Sequence, residues 1–169
     1  MQSRRRIDQV LAPSFVEGLG DLDFEELRRR RALAAEIENE LSFHRRMLHG
    51  RMDLIRFELR RRRGEETRSL IDALPEILAD DTDTREVGPQ AMRYVETLPP
   101  IYEALGRRDI DLVLGDDVLL RLGDISDDDL STALEGIQEF ESALSEQRRR
   151  VHEVEDALGH ELGIRYRTA

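Results

Sequence analysis

Five polar residues of this chain recur in the same order and with the same spacing, 103 residues further along. Each set combines two carboxylates with a hydroxyl, a guanidinium and an imidazole, which are groups that recognise polar ligands through hydrogen bonds. On a helix, steps of 4, 3, 4 and 4 residues keep all five side chains within a stripe about 80° wide. Such a narrow stripe is normally apolar because it faces a partner helix, so a polar one repeated twice predicts a duplicated recognition surface. The two copies are Glu38, Ser42, Arg45, His49 and Asp53, and Glu141, Ser145, Arg148, His152 and Asp156.

These residue types suit guanine. The aspartate that ends each copy can accept hydrogen bonds from guanine N1–H and N2–H together, and the arginine can fork to O6 and N7 or to a phosphate. The serine is a short donor or acceptor, the histidine can donate to a phosphate or stack on a base, and the first glutamate can accept from a ribose hydroxyl or a second guanine. We expect further phosphate contacts from Arg46 and Arg149. Two equivalent half-sites fit a two-fold symmetric dinucleotide, or a pair of them.

Two long helices are predicted to carry the copies. The first begins at a capping box formed by Asp23 and Glu26 and stops at Gly64, and the second begins at Ser126 with three aspartates behind it. Each helix has an apolar seam at coiled-coil spacing beside its polar stripe. The seams are Ile37, Leu41, His44, Leu48, Met52, Ile55 and Leu59, and Leu130, Ile137, Phe140, Leu144, Gln147, Val151, Val154 and Leu158.

We therefore predict an all-α protein in which two long helices form a coiled coil, joined by a short irregular helical segment. Antiparallel pairing is favoured because each motif lies near the middle of its helix, where a local two-fold axis would set the stripes side by side. The predicted segments are an N-terminal arm with a short docking helix (1–23), the first long helix (24–63), an acidic connection with short helices (64–125), the second long helix (126–163) and a tail (164–169).

Composition narrows the class of protein. The net charge is −11, yet residues 24–63 carry 12 arginines against 7 acids while residues 64–139 carry 6 against 20, which suits an anionic ligand and a basic partner. The absence of cysteine excludes disulfides and thiolate metal sites. With no apolar run of membrane-spanning length and no signal-peptide core, we predict a cytoplasmic protein without a membrane contact. All 26 basic residues are arginine, which is typical of a GC-rich bacterial genome.

The repeated pattern resembles a family. Glu-x3-Ser-x2-Arg-x3-His-x3-Asp is similar to the Glu-x3-Ser-x2-Arg-x3-Gln-x3-Asp signature of RsiG-type anti-sigma factors of actinobacteria. Members of that family carry the signature twice in a coiled coil and bind a dimer of cyclic di-GMP. In the nucleotide-bound state they sequester the sporulation sigma factor WhiG. Four of the five positions match in each copy, while His49 and His152 replace glutamine. The resemblance implies a cyclic di-GMP-dependent anti-sigma factor with a WhiG-like partner, monomeric before the complex forms and without enzymatic activity.

Other classes of function fit less well. A structural coiled coil would need the stripes only for pairs along an exposed face, each worth a few tenths of a kcal/mol, and identity at polar positions argues against it. A dimetal site would use Glu-x-x-His, which does not occur here, and the arginine central to each stripe would repel a cation. The chain lacks the broad basic surface that direct DNA binding requires. It also has no glycine-rich phosphate loop and no nucleophile beside an evident base, which an enzyme would need. Without ligand, we expect the clustered arginines to repel one another.

Overall fold

The computed structural model describes residues 2–79 and 122–168, and these residues are helical with no strand among them. The all-α class is therefore confirmed for the described part, in which one long helix packs against another. Two short 3-10 turns, Pro13–Phe15 and Leu19–Asp21, precede the first long helix. The helices are α1 (Gln2–Val10), α2 (Phe24–Arg62), α3 (Leu70–Ala79) and α4 (Asp127–Thr168).

Both long helices begin at the capping residues expected from the sequence. The Asp23 carboxylate accepts a hydrogen bond from the backbone N–H of Glu26 at 2.7 Å, and the Ser126 hydroxyl accepts one from the N–H of Asp129 at 3.1 Å. These bonds satisfy amides that have no partner within the first helical turn. At the other end of α2, Gly64 adopts a φ of 76°, which favours glycine and turns the chain out of the helix.

The chain divides into two compact units. The first unit comprises residues 1–43 and 144–169, and its core is built from α1, the N-terminal part of α2 and the C-terminal part of α4. Each fully buried leucine or valine there contributes about 1.5–3 kcal/mol. Its most deeply buried apolar side chains are Val10, Leu27, Ala34, Ile37, Leu41, Leu144, Val151 and Leu158.

The second unit comprises residues 44–143, and the rest of α2 packs there with α3 and the N-terminal part of α4. Leu54, Phe57 and Glu58 are buried although they lie off the seam, so this part of α2 is covered on more than one face. The buried seam residues of this unit are Leu48, Met52, Ile55, Leu59, Leu130, Ile137 and Phe140.

The N-terminal arm lies against its own chain. Ile7 and Val10 are buried, and the Arg6 guanidinium forms ion pairs with Glu36 at 2.5 Å and Glu40 at 3.2 Å on α2. The short helix expected in residues 1–23 is therefore present and docked.

The connecting segment is described only at its ends. The short helix predicted over Ser69–Leu78 is found as α3, with Pro75 inside it. The acidic loop predicted over residues 80–89 and the break at Pro99-Pro100 lie outside the described residues. Within the described ranges, no helix combines the length and the apolarity required to cross a bilayer.

The prediction of a tail over residues 164–169 was wrong, because α4 continues through Thr168. The Arg165 guanidinium donates to the backbone carbonyls of Leu19 and Leu22 at 2.8 and 2.5 Å. The Tyr166 ring meets Phe24 edge-on at 5.0 Å between centroids. These contacts hold the last turns of the helix past Gly163, a residue that weakens a helix by itself.

Candidate functional site

Three motif residues form a hydrogen-bonded cluster in the first unit, which we call the Arg148 cluster. The Arg148 Nε donates to Glu38 Oε1 at 2.8 Å and to Ser42 Oγ at 2.7 Å, while the Ser42 hydroxyl donates to Glu38 Oε1 at 2.8 Å. Glu38 is only 8% exposed, and a carboxylate buried to that extent requires such partners. The cluster thus joins the glutamate and serine of the first copy to the arginine of the second.

Three other motif residues form the matching Arg45 cluster in the second unit. The Arg45 Nε donates to Glu141 Oε1 at 3.0 Å, and the His49 Nε2 lies 3.0 Å from the same oxygen. Here the glutamate comes from the second copy and the arginine from the first. The two clusters therefore contain the same arginine–glutamate pair, and in each cluster the arginine of one copy binds the glutamate of the other copy.

The pairing leaves most of each guanidinium available. The side chains of Arg45 and Arg148 form hydrogen bonds to the described residues through Nε alone, and they are 38% and 40% exposed. The glutamate thereby orients the guanidinium while both terminal amino groups can still fork to an acceptor pair such as guanine O6 and N7. The expectation that the ligand-free arginines repel one another was wrong, because a carboxylate offsets each charge.

The aspartates that end the copies lie apart from these clusters. Asp53 accepts from Arg56 Nη1 at 2.9 Å in the second unit, whereas Asp156 lies 3.8 Å from His152 Nε2 in the first unit. Eight residues of helix separate Arg45 from Asp53, a rise of about 12 Å. The arginine and the aspartate of one copy therefore start from different turns of the helix, and each is available to a different group of the ligand.

The remaining motif positions lie on the surface of the helices. Ser145 is half-buried, and His152 is exposed. Arg149 pairs with Glu146 at 2.6 Å and also with Glu153 on its own helix. Arg46 is half-buried and forms no ion pair within the described residues, so its charge is available to a ligand.

Sequence reasoning missed a second pair of arginines at the same offset, Arg62 and Arg165. In the first unit, Arg165 near the end of α4 binds the carbonyls of Leu19 and Leu22 that precede α2. In the second unit, Arg62 at the end of α2 binds the carbonyls of Leu122 and Ile125 that precede α4, at 2.6 and 2.7 Å. We call these two sets of contacts the arginine clamps.

The clamps show how far the duplication extends. All six clamp residues obey the 103-residue offset, as do the capping residues Asp23 and Ser126. Each clamp arginine is also bound by a glutamate four residues before it, Glu58 at 2.7 Å and Glu161 at 3.0 Å. The Arg61 and Arg62 guanidinium groups lower the pKa of Glu58. The repeated unit is therefore a complete helix with the loop before it, and the fixed offset was the available signal.

One comparison with known proteins matches part of the chain to a protein family. Residues 13–78 match the model of a family described as RsiG-like. The resemblance expected from the sequence is thereby confirmed over the segment that carries the first motif copy, which is similar to RsiG-type proteins. That family is one of anti-sigma regulators rather than enzymes. No curated protein matches the chain.

The second copy of the motif lies outside the matched range. Its assignment depends on the repeated spacing and on the reciprocal contacts of Arg45 and Arg148. No group of three or more His, Asp or Glu side chains that could hold a metal ion occurs within residues 2–79 and 122–168.

Proposed function

We propose that this chain is a cyclic di-GMP-dependent anti-sigma factor that acts in the cytoplasm of an actinobacterium. Loaded with the nucleotide, it sequesters a WhiG-like sporulation sigma factor and blocks the access of that factor to RNA polymerase and promoters. The RsiG-like match over residues 13–78 supports a sigma factor as the partner. The nucleotide and the type of sigma factor are inferred from the two motif copies and their chemistry.

The observation that carries the nucleotide proposal is the state of Arg45 and Arg148. Each is fixed through Nε by a glutamate of the other copy, while its two Nη groups form no hydrogen bond within the described residues. A guanidinium held in this way loses little side-chain entropy when it binds O6 and N7 of a guanine or the oxygens of a phosphate. Asp53 and Asp156 supply acceptors for the N1–H and N2–H donors of other guanines, which fits a ligand with several bases.

We also propose that α2 and α4 pair as an antiparallel coiled coil. In the first unit, successive contacts from Leu22 to Ser42 on or before α2 meet α4 in descending order from Arg165 to Arg148. In the second unit, Arg45 meets Glu141 and Arg62 meets Asp127, which again descends. Opposed helix directions and buried seams support this arrangement.

Nucleotide would strengthen the sigma complex by joining the two proteins. Its phosphates accept hydrogen bonds from the arginines, while its bases offer hydrogen-bonding edges to both partners, so ligand and partner bind cooperatively. The acidic stretch over residues 64–139 would face basic promoter-binding surfaces of the sigma factor.

Calorimetric titration of the free protein with cyclic di-GMP, cyclic di-AMP and GTP tests the nucleotide proposal. We expect binding of cyclic di-GMP and at least about tenfold weaker binding of the adenine analogue, since adenine lacks the N1–H and N2–H donors that the aspartates accept. Equal binding of all three, or none, would return the chain to the alternative of a coiled-coil scaffold without a nucleotide ligand.

A pull-down of a WhiG-like sigma factor, with and without cyclic di-GMP, tests the partner. The proposal requires capture that depends on the nucleotide. Equal capture in both lanes would mean a constitutive anti-sigma factor, and no capture in either would remove this sigma factor as the partner.

A further inference from the structure

A pocket of about 150 Å³ lies between α2 and α3 in the second unit, beside the motif residue Asp53. It is larger than a single water molecule or monatomic ion needs. Apolar and charged groups share its wall, which is typical of sites for amphipathic organic ligands. The side chains used in this argument are Asp53, Arg56, Phe57, Arg60, Arg68 and Ile77.

Helix geometry brings the α2 members of this set together. Asp53, Arg56 and Arg60 follow one another at steps of three and four, so they share one face of the helix. Phe57 lies between them, is buried, and supplies an aromatic surface at the pocket. Ile77 contributes an apolar wall from α3.

The hydrogen-bonding groups of the pocket are unequally occupied. Arg68 is anchored by Glu66 at 2.7 Å and Glu76 at 2.6 Å. Arg56 gives one Nη group to Asp53 Oδ1, which leaves the second carboxylate oxygen open. Arg60 is exposed, and its side chain forms no hydrogen bond or ion pair within residues 2–79 and 122–168. The pocket therefore offers an open carboxylate oxygen on each of Asp53 and Glu76 and one complete guanidinium fork on Arg60.

We propose that this pocket receives a guanine base, with Asp53 accepting from N1–H and N2–H and Arg60 donating to O6 and N7. The inference rests on the proposed function and assigns one base of the nucleotide to a defined place. A simple anion fits less well because Asp53 and Glu76 also line the pocket. Adenine fits less well because its N1 is an acceptor and would face the Asp53 carboxylate.

The second motif copy carries no equivalent of these residues. At the 103-residue offset, Asp156 corresponds to Asp53, but Gly159, His160 and Gly163 stand where α2 has Arg56, Phe57 and Arg60. The pocket thus distinguishes the two copies, and each chain holds one guanine in this way.

Calorimetry with cyclic di-GMP on the full chain compares Arg60→Ala with Arg63→Ala. Both arginines are exposed, Arg60 in the last turn of α2 and Arg63 directly after it, and only Arg60 lines the pocket. We expect Arg60→Ala to weaken binding about tenfold and Arg63→Ala to change it less than about twofold. Equal affinities of the two variants, with wild-type binding intact, would overturn the pocket assignment while leaving the proposed function standing.

Methyl NMR of isoleucine gives a readout that does not depend on a variant. Ile77 lines the pocket, while Ile71 on the same helix is 83% exposed and does not line it. Titration with guanosine monophosphate should shift the Ile77 methyl signals through the ring current of the base and leave those of Ile71 unchanged. A shift of the Ile77 signals in a chain that does not bind cyclic di-GMP would support the pocket and refute the proposed function. Binding of cyclic di-GMP without any shift of the Ile77 signals would support the proposed function and refute the pocket.

Discussion

The two units share a framework and differ in the residues C-terminal to the motif. Both have an arginine clamp, a helix cap at equivalent positions and an arginine bound by the glutamate of the other copy. After the aspartate, however, the second unit continues with Arg56, Phe57 and Arg60, whereas the first continues with glycine, histidine and glycine. The clamps fasten backbone and the seams fill the core, so those positions tolerate little change after duplication.

The charged side chains of Arg56 and Arg60 that follow Asp53 carry no such packing load, in contrast to the buried Phe57. Asp156 and His152 are exposed, and Asp53 is half-buried. Divergence there changes ligand binding without unfolding the chain. If the proposed function holds, one duplicated scaffold presents two nucleotide sites of different strength, and four predictions address this comparison.

The largest expected effect is on stability, when a clamp is removed. Arg62→Ala should lower the free energy of unfolding by about 3 kcal/mol, because it strands two carbonyls and removes one of two partners of the buried Glu58 carboxylate. Arg165→Ala should cost less, because its partner Glu161 is 20% exposed against 4% for Glu58. Urea denaturation measures both, with the exposed Arg167→Ala as control. A larger loss in Arg165→Ala would reverse the comparison.

The motif arginines should dominate nucleotide affinity. Arg45→Ala and Arg148→Ala should each weaken cyclic di-GMP binding by about 1–3 kcal/mol, or roughly tenfold or more, with helicity by circular dichroism unchanged. Arg148→Ala should also destabilise more, since the side chain of its partner Glu38 is 10% exposed against 18% for Glu141. The exposed Arg150→Ala is the matched control, and an affinity loss as large in that variant would mean that charge alone determines binding.

The polar seam position of the first unit should be improvable. The Gln147 Oε1 is buried without a hydrogen-bond partner within the described residues. Gln147→Leu removes that unsatisfied acceptor and adds apolar burial, so the free energy of unfolding should rise by about 1 kcal/mol. The exposed Gln138→Leu on the same helix should leave stability unchanged. A loss of stability in Gln147→Leu would show that this side chain is needed in the seam.

The smallest effect concerns the equivalent seam residue of the second unit, His44. Burial lowers the pKa of His44 below its ordinary 6.5. As the pH falls through that value, the unfolded chain gains a proton that the folded chain does not, so stability is lost. Between about pH 7.5 and pH 5.5, His44→Gln should lose less stability than the wild type, by under about 1 kcal/mol. Thermal unfolding measures the difference, and the exposed His160→Gln should follow the wild type; identical slopes in all three proteins would contradict the assignment.

Much of the fold could be read from the sequence because local signals agree. Caps at Asp23 and Ser126, seams at coiled-coil spacing and a glycine at residue 64 all describe one helix at a time. The end of α4 could not be read in this way. Gly163 signals a stop, and only the distant backbone around Leu19 and Leu22 overrides it.

The sequence predicts the candidate site as two polar stripes, one on each long helix, that lie side by side. It does not predict the pairing of the glutamate of one copy with the arginine of the other, because spacing along one helix cannot show contacts between helices. The ligand roles of the ten motif residues stay predictions. The clamp arginines were missed because helix-terminal arginines usually face solvent, yet the offset that revealed the motif also relates Arg62 to Arg165.

The edge-on contact of Tyr166 with Phe24 and the Arg165 clamp together hold the last turns of α4 against the start of α2 and the loop before it. Fraying of that terminus would release a loop 143 positions earlier in the sequence. Unfolding of the last turns of α4 is thereby coupled to the loop before α2. A protease or a bulky fusion that disturbs residues 164–168 would therefore also destabilise the start of the first long helix.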